Sequence, residues 1–412
     1  MIQLGKPFFE NKKYGNGGGI PALKTIWEQF DLSLLFLQSG IRKHAGASTW
    51  LMAFTYICSL IAGVGSVNQC AAFIAQSHIL HQLLSGITIS QSAFSRFLAK
   101  SFDWLKFSSG RLARLQEHQE TRLSDGDIIA LDDTKIVHPY GKKIPFLCWL
   151  YDHASKTQVW CMNLLSTLAV LQNGMEYPML WRFWVKSVSQ NEQQTKLDLA
   201  KQMLLEIRRL TEAKLWVAMD RWFLCKDFLV WLMAQQFDWV TKAKRNTVLY
   251  RKVYDWACRK EIFIKPNPKV LLREVYPQLA ILGKGTALRV PEVYLKLPYE
   301  TVTRKGKTIT RQRYMPIAGT YAEKTETPEG LISETETAAT FRDAYLLISN
   351  RVDAPDAAFT AYVKRWRIEV FFRTVKQELG LTYVLPGRRR RISPTWNSCS
   401  RRKLYCVTVN GS

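Results

Sequence analysis

A chain of 412 residues with 58 Lys and Arg against 34 Asp and Glu carries a formal charge of +24. That length allows about two to four domains with full cores, and a field of that sign gathers polyanions and supplies salt-sensitive DNA affinity. The first thirty residues hold no long apolar core, Trp50–Val64 is too short to span a bilayer, and the eight cysteines contain no CxxC pair. These features argue against a secretory leader, a membrane partner, a disulfide framework and a structural zinc site, and they point to the cytoplasm.

Residues 1 to about 120 read as helical after a Gly-rich start at Gly15–Gly19, with apolar residues at helical spacing through Trp50–Ile61 and Ala71–Leu84. Ser90–Leu98 offers a Ser cap, a polar first turn and apolar anchors, which fits either a recognition helix or an ordinary packing helix. From residue 125 the pattern changes. Asp127–Leu131 is a short apolar run of the central-strand kind that ends in Asp132-Asp133-Thr134. Phe146–Tyr151 and Gln158–Leu171 follow as strands, the second closed by an Asn173-Gly174 turn. An amphipathic helix is expected from about Gln193 to Leu210, then a buried strand Leu215–Met219 running into Asp220. A helix over Lys226–Gln236 and a strand over Trp239–Ala243 complete this α/β series. Carboxylates at the C-terminal ends of such strands should converge, because ligand sites in α/β sheets gather there.

Between about 245 and 341 the alternation stops. Val290–Leu297 and Val302–Tyr314 read as strands, the latter hinged at Lys305-Gly306, and Pro266, Pro268, Pro277, Pro291 and Pro298 break any long helix. Residues 242–316 hold 18 Lys and Arg against 5 acids, and residues 361–403 hold 12 against 2, so two basic regions flank one acidic site. Ala344–Ser349 returns the chain to the sheet.

The densest signal is Tyr362–Lys376. Read as one helix at about 100° per residue, it places Tyr362, Arg365, Trp366, Glu369, Arg373 and Lys376 on one polar stripe. Ile368, Phe371, Phe372, Val375 and Leu379 form the adjacent apolar one. One carboxylate among Arg, Lys and Tyr suits a site that grips a phosphodiester and holds a metal. Three carboxylates, two from strand ends and Glu369 from this helix, would bind hard divalent cations in preference to zinc.

The spacing Tyr362, Arg365, Glu369, Lys376, with the words Arg-Trp-Arg-Ile-Glu-Val-Phe-Phe, Leu-Asp-Asp-Thr and Val-Ala-Met-Asp-Arg-Trp-Phe, resembles the Tyr-Arg-Glu-Lys signature group of DDE transposases, bacterial insertion-sequence family 4. The resemblance covers about residues 85–381. It implies an α/β fold with an RNase H-like catalytic core (121–244 and 342–381) interrupted by a basic β-rich insertion (245–341), preceded by a helical N-terminal domain (1–120) that binds terminal inverted repeats. It also implies Asp133, Asp220 and Glu369 as the catalytic, metal-binding triad, with Asp132 the rival for the first place, and Mg2+ or Mn2+, two ions per site, as cofactor. Tyr362, Arg365 and Lys376 would hold DNA phosphates, Trp366 would stack on a displaced base or pack against the core, and Arg373 would touch the backbone. The partners implied are double-stranded DNA with terminal inverted repeats, target DNA and a second copy of the chain. The reaction implied is cleavage at the element's ends followed by strand transfer, in a bacterial cytoplasm and at the nucleoid.

After Leu381 the residues 382–412 form a basic run without helical periodicity, with the composition of a shifted reading frame, of a truncated copy or of a DNA-binding tail. Two other functions stay open at this point: a degenerate or domesticated copy that binds repeats without transposing, and an RNase H-like nuclease on branched DNA or hybrids.

Overall fold

The computed structural model describes residues 19–41, 46–64, 66–86, 88–99, 103–139, 146–152, 155–186, 194–244, 246–265, 287–304, 307–322, 345–377 and 379. The Gly-rich start up to Gly18, the Lys305-Gly306 hinge and the basic tail 382–412 lie outside them. The chain divides into two compact units: the described parts of 1–115, 136–161 and 373–412, and those of 116–135 with 162–372.

The first unit begins with helices α1 (Ile20–Gln29), α2 (Leu32–Gln38), α3 (Thr49–Ile61), α4 (Val67–Gln76), α5 (His78–Leu83), α6 (Gln91–Leu98) and α7 (Trp104–Glu117). α3 is apolar on nearly every side, so it serves as the buried element: Met52, Phe54 and Cys58 join Trp27, Phe36, Ile41 and Phe94 in one core. Trp27 stacks on Phe36 and meets Phe54 edge-on, the geometries that aromatic quadrupoles favour. The Ser90 hydroxyl accepts the Ala93 N–H at 3.3 Å and starts α6, whose Phe94, Phe97 and Leu98 are buried while Gln91, Ser92, Ser95 and Arg96 face solvent. This unit also holds the hairpin of β2 (Cys148–Asp152) with the start of β3, Cys148 lying opposite Cys161.

The second unit is a sheet with helices. Its elements in chain order are β1 (Ile128–Val137), β3 (Thr157–Val170), β4 (Glu176–Trp184), α8 (Lys196–Arg208), β5 (Trp216–Met219), α9 (Lys226–Ala234), β6 (Asp238–Lys242), β7 (Tyr250–Asp255), β8 (Lys260–Ile264), β9 (Ala287–Arg304), β10 (Lys307–Ala322), β11 (Tyr345–Ser349), α10 (Pro355–Lys364) and α11 (Trp366–Gln377). Neighbouring strands run in the order β3-β1-β5-β6-β11-β10-β9-β7-β8, with β4 on β3. β1, β5 and β6 are mutually parallel, as their connections through helices require. The basic strands β7 to β10 therefore extend the same sheet beyond β11. β4 was not legible as a strand from its own residues: Pro178 interrupts it and falls beside the register shift between Ser166 and Leu168.

One face of the central strands packs under α10 and α11. Ile128 and Ala130 of β1, Trp216 and Ala218 of β5, and Val240 of β6 share a cluster with Ala358, Ala361, Ile368 and Phe372. Those strand residues are all even-numbered, as a period of two demands when a single face is covered. The final helix is not continuous: it breaks at Arg365, which lies between α10 and α11 and donates its N–H to Ala361 O at 3.2 Å and Tyr362 O at 3.1 Å. Ile368 is fully buried where α11 meets the sheet, so Ile368→Ala should cost about 2–5 kcal/mol through lost transfer energy and the cavity left behind. Urea unfolding is expected to show a lower midpoint at unchanged slope; a cost under about 0.5 kcal/mol, the level of a surface change, would contradict this packing.

Candidate active site

The register of β1 against β5 builds the acidic site. Leu131 pairs with Met219, so the next residues along the two parallel segments stand side by side: Asp132 in the middle of β1, which runs on to Val137 beyond the expected end at Leu131, and Asp220 directly after the C-terminal end of β5. Both continue the even-numbered series that faces α10 and α11. Asp133 is one residue out of phase and faces the opposite side, where the Lys196 ammonium pairs with its Oδ2 at 2.8 Å and the Asn163 amide donates to the same oxygen at 2.6 Å. Asp132, and not the expected Asp133, is thus the acid on the face of β1 that α10 and α11 cover.

Arg365 joins the acids on the helix side. Its Nη1 donates to Asp132 Oδ2 at 2.8 Å and its Nη2 to Glu369 Oε1 at 2.6 Å. Only 8% of the residue is exposed. One guanidinium therefore bridges two of the three carboxylates, while its Nε is buried without a partner. Among the described residues no three acids, histidines or cysteines already converge on a point that could hold a metal ion. The register brings Asp132 and Asp220 alongside each other, but a protein cation stands between Asp132 and Glu369.

The electrostatics follow from crowding. Burial pushes the Asp132 carboxyl up to about 7, with the neighbouring Asp133 and Asp220 adding repulsion, against the pull of Arg365. Burial lowers the Arg365 guanidinium, but Asp132, Tyr362 and Glu369 more than offset this and hold it charged. Burial also pushes the Tyr362 hydroxyl up to about 12, so it remains a neutral donor.

The other residues of the signature separate. Tyr362 is partly buried with Tyr345 close to its ring and the Arg365 guanidinium 5.5 Å from the ring centre. Trp366 is exposed by 52% and does not pack into the core. Arg367 is tied to Glu176 at 2.5 Å. Arg373 is exposed and Lys376 partly buried, further along α11 in the stretch that belongs to the first unit. Sequence reasoning missed Lys196 and Asn163, although the Thr195-x-x-Asp198 capping box that starts α8 marks Lys196 as its first residue.

An Asp whose folded-state pKa is raised stabilises the fold below its unfolded value near 4, and that contribution is lost as pH rises through about 7. In metal-free buffer, Asp132→Asn should therefore gain thermal stability relative to the parent between pH 5 and pH 8. Melting curves at both pH values check this; a parent-to-variant difference that does not change with pH would contradict the burial assigned to Asp132.

Among known proteins, a family model described as a transposase DDE domain matches residues 124–385. No curated protein matches the chain. Among solved structures, the chain is similar to a piggyBac transposase synaptic complex with hairpin DNA, at 11% identity and a TM-score of 0.38, over 85% of this chain and 66% of that one.

Proposed function

The chain belongs to the family of transposase DDE domains, and on that footing we propose that it is a transposase of an insertion sequence. In this reading it binds terminal inverted repeats and catalyses metal-dependent cleavage and strand transfer by a cut-and-paste route. The observation that carries it is the β1–β5 register, which brings Asp132 and Asp220 together on the face that α11 covers with Glu369. The central strand order β4-β3-β1-β5-β6, with β1, β5 and β6 parallel, supports an RNase H-like core.

Transposase DDE domains depend on a divalent metal ion, and the donors here fit one. All three acids offer hard oxygens, and the partly buried Asp132 feels the repulsion of Asp133 and Asp220 with a guanidinium supplying the compensating charge. Asp132, Asp220 and Glu369 would hold Mg2+ or Mn2+, two ions per site, with Asp132 taking the first place in preference to Asp133. Bound there, such ions would activate a water or a DNA 3′-hydroxyl as nucleophile and neutralise charge on the transferring phosphate.

The remaining steps belong to the protein. Arg365 exchanges its carboxylate partners for a DNA phosphate, to which a planar guanidinium donates two parallel hydrogen bonds. Tyr362, neutral at working pH, donates to the same strand. Trp366 stacks on a base, and Arg373 and Lys376 extend the contact along the backbone. Two ends cut together call for a homodimer on double-stranded DNA, acting in the cytoplasm.

Magnesium-dependent nicking of a duplex carrying the element's terminal repeat tests the assignment. Asp132→Asn, Asp220→Asn and Glu369→Gln should each lower the rate by at least a hundred- to a thousandfold, on the order of losing a main electrostatic contributor. Asp133→Asn should stay within about tenfold of the parent, the scale of a supporting contact. An inactive Asp133→Asn beside an active Asp132→Asn would reverse the assignment.

A further inference from the structure

The opposite face of β1 carries an arrangement that the acidic site does not use. Directly after Asp220 the chain makes a 3-10 turn, Arg221–Phe223, in which Phe223 is fully buried while Trp222 keeps 47% of its surface exposed. The Trp222 ring meets Phe223 edge-on at 5.1 Å, and the Lys196 ammonium lies 5.0 Å from its centre. Lys196 is itself fixed. It pairs with Asp133, and Trp184 supplies a second ring 5.3 Å away whose indole N–H donates to Gln194 O at 3.0 Å.

Two features argue that this is more than packing. A cation at the first position of α8 stands against the helix dipole, yet Lys196 is held there by the Asp133 carboxylate and two rings. An indole half open to solvent, two residues from a strand-end acid, carries a large apolar surface that the fold leaves uncovered. A ring polarised by a cation at one side and open elsewhere is the kind of platform on which a nucleobase stacks, and the cation attracts the polyanion to which the base belongs.

We propose that Trp222, set by Lys196 and Asp133, is a stacking platform for a nucleobase of the DNA strand next to the cleaved phosphate. Asp132 and Asp133 then divide the work of the two faces of β1: the first belongs to the carboxylates that would hold metal, the second to the cation that sets the ring. This rests on the transposase reading, because it takes the DNA end as the ligand.

The test uses the full chain and a terminal-repeat duplex with 2-aminopurine placed in turn at each position flanking the cut, reading fluorescence and, separately, binding by anisotropy. The parent should strongly quench one position beyond the one that Trp366 covers. Trp222→Ala should restore that fluorescence and weaken binding by about tenfold, within the range of one stacked base, while Trp222→Phe should keep most of both. Lys196→Met, which leaves the ring but removes its support, should give intermediate quenching. Quenching that persists in Trp222→Ala and disappears in Trp366→Ala would overturn the proposal while leaving the transposase reading intact. A parent that fails to bind the duplex at all would overturn both.

Discussion

The parallel register of β1 with β5 sets Leu131 beside Met219 and so makes Asp132, midway along β1, and Asp220, just past the end of β5, neighbours. Two carboxylates held that closely in a buried corner repel one another, and the sheet cannot relieve this by sliding, because a one-residue slip would turn Ile128, Ala130, Trp216 and Ala218 away from α10 and α11. The hydrophobic face therefore holds the acids in place, and the cost of crowding them falls on whatever cation the site can recruit.

In this structure the cation is Arg365. A guanidinium that reaches two carboxylates of a would-be metal site supplies positive charge where the ligand set most needs it, and its unpartnered Nε shows that the arrangement does not exhaust its hydrogen-bonding capacity. Leaving an ion pair of this burial broken would be expensive, so release of Arg365 must be coupled to arrival of another cation at the acids and of an anion at the guanidinium. A phosphodiester with divalent metal supplies both together. That coupling gives a physical reason for an arginine four residues before the glutamate on the same helical segment.

Much of the central fold was legible because the sequence patterns there are undisturbed. The apolar runs ending in Asp132-Asp133 and Asp220, the amphipathic α8 and the final helices all follow their expected periods. The choice between Asp132 and Asp133 was not settled by motif spacing, since adjacent acids differ only in which face of a strand they meet. That difference becomes visible once Ile128 and Ala130 are known to be covered by α10 and α11. The interruption at Arg365 was equally hidden: Tyr362–Lys376 contains neither Gly nor Pro, and Arg365 itself keeps a helical backbone, with φ −53° and ψ −31°, while the chain tightens there to three-residue hydrogen bonds. The ring-and-lysine cluster around Asp133 joins residues from β1, β3, β4, α8 and the turn after β5, which no local pattern could connect.

In the proposed function Arg365 occupies, by charge, the place of a metal held by Asp132, Asp220 and Glu369. A crystal structure of the chain with Mn2+ and a terminal-repeat duplex, read by anomalous scattering, tests it most directly. The account requires manganese on Asp132, Asp220 and Glu369, with the Arg365 guanidinium turned from the carboxylates to a phosphate and Asp133 still paired with Lys196. Manganese bound to Asp133, or Arg365 still bridging Asp132 and Glu369 beside a filled metal site, would contradict it.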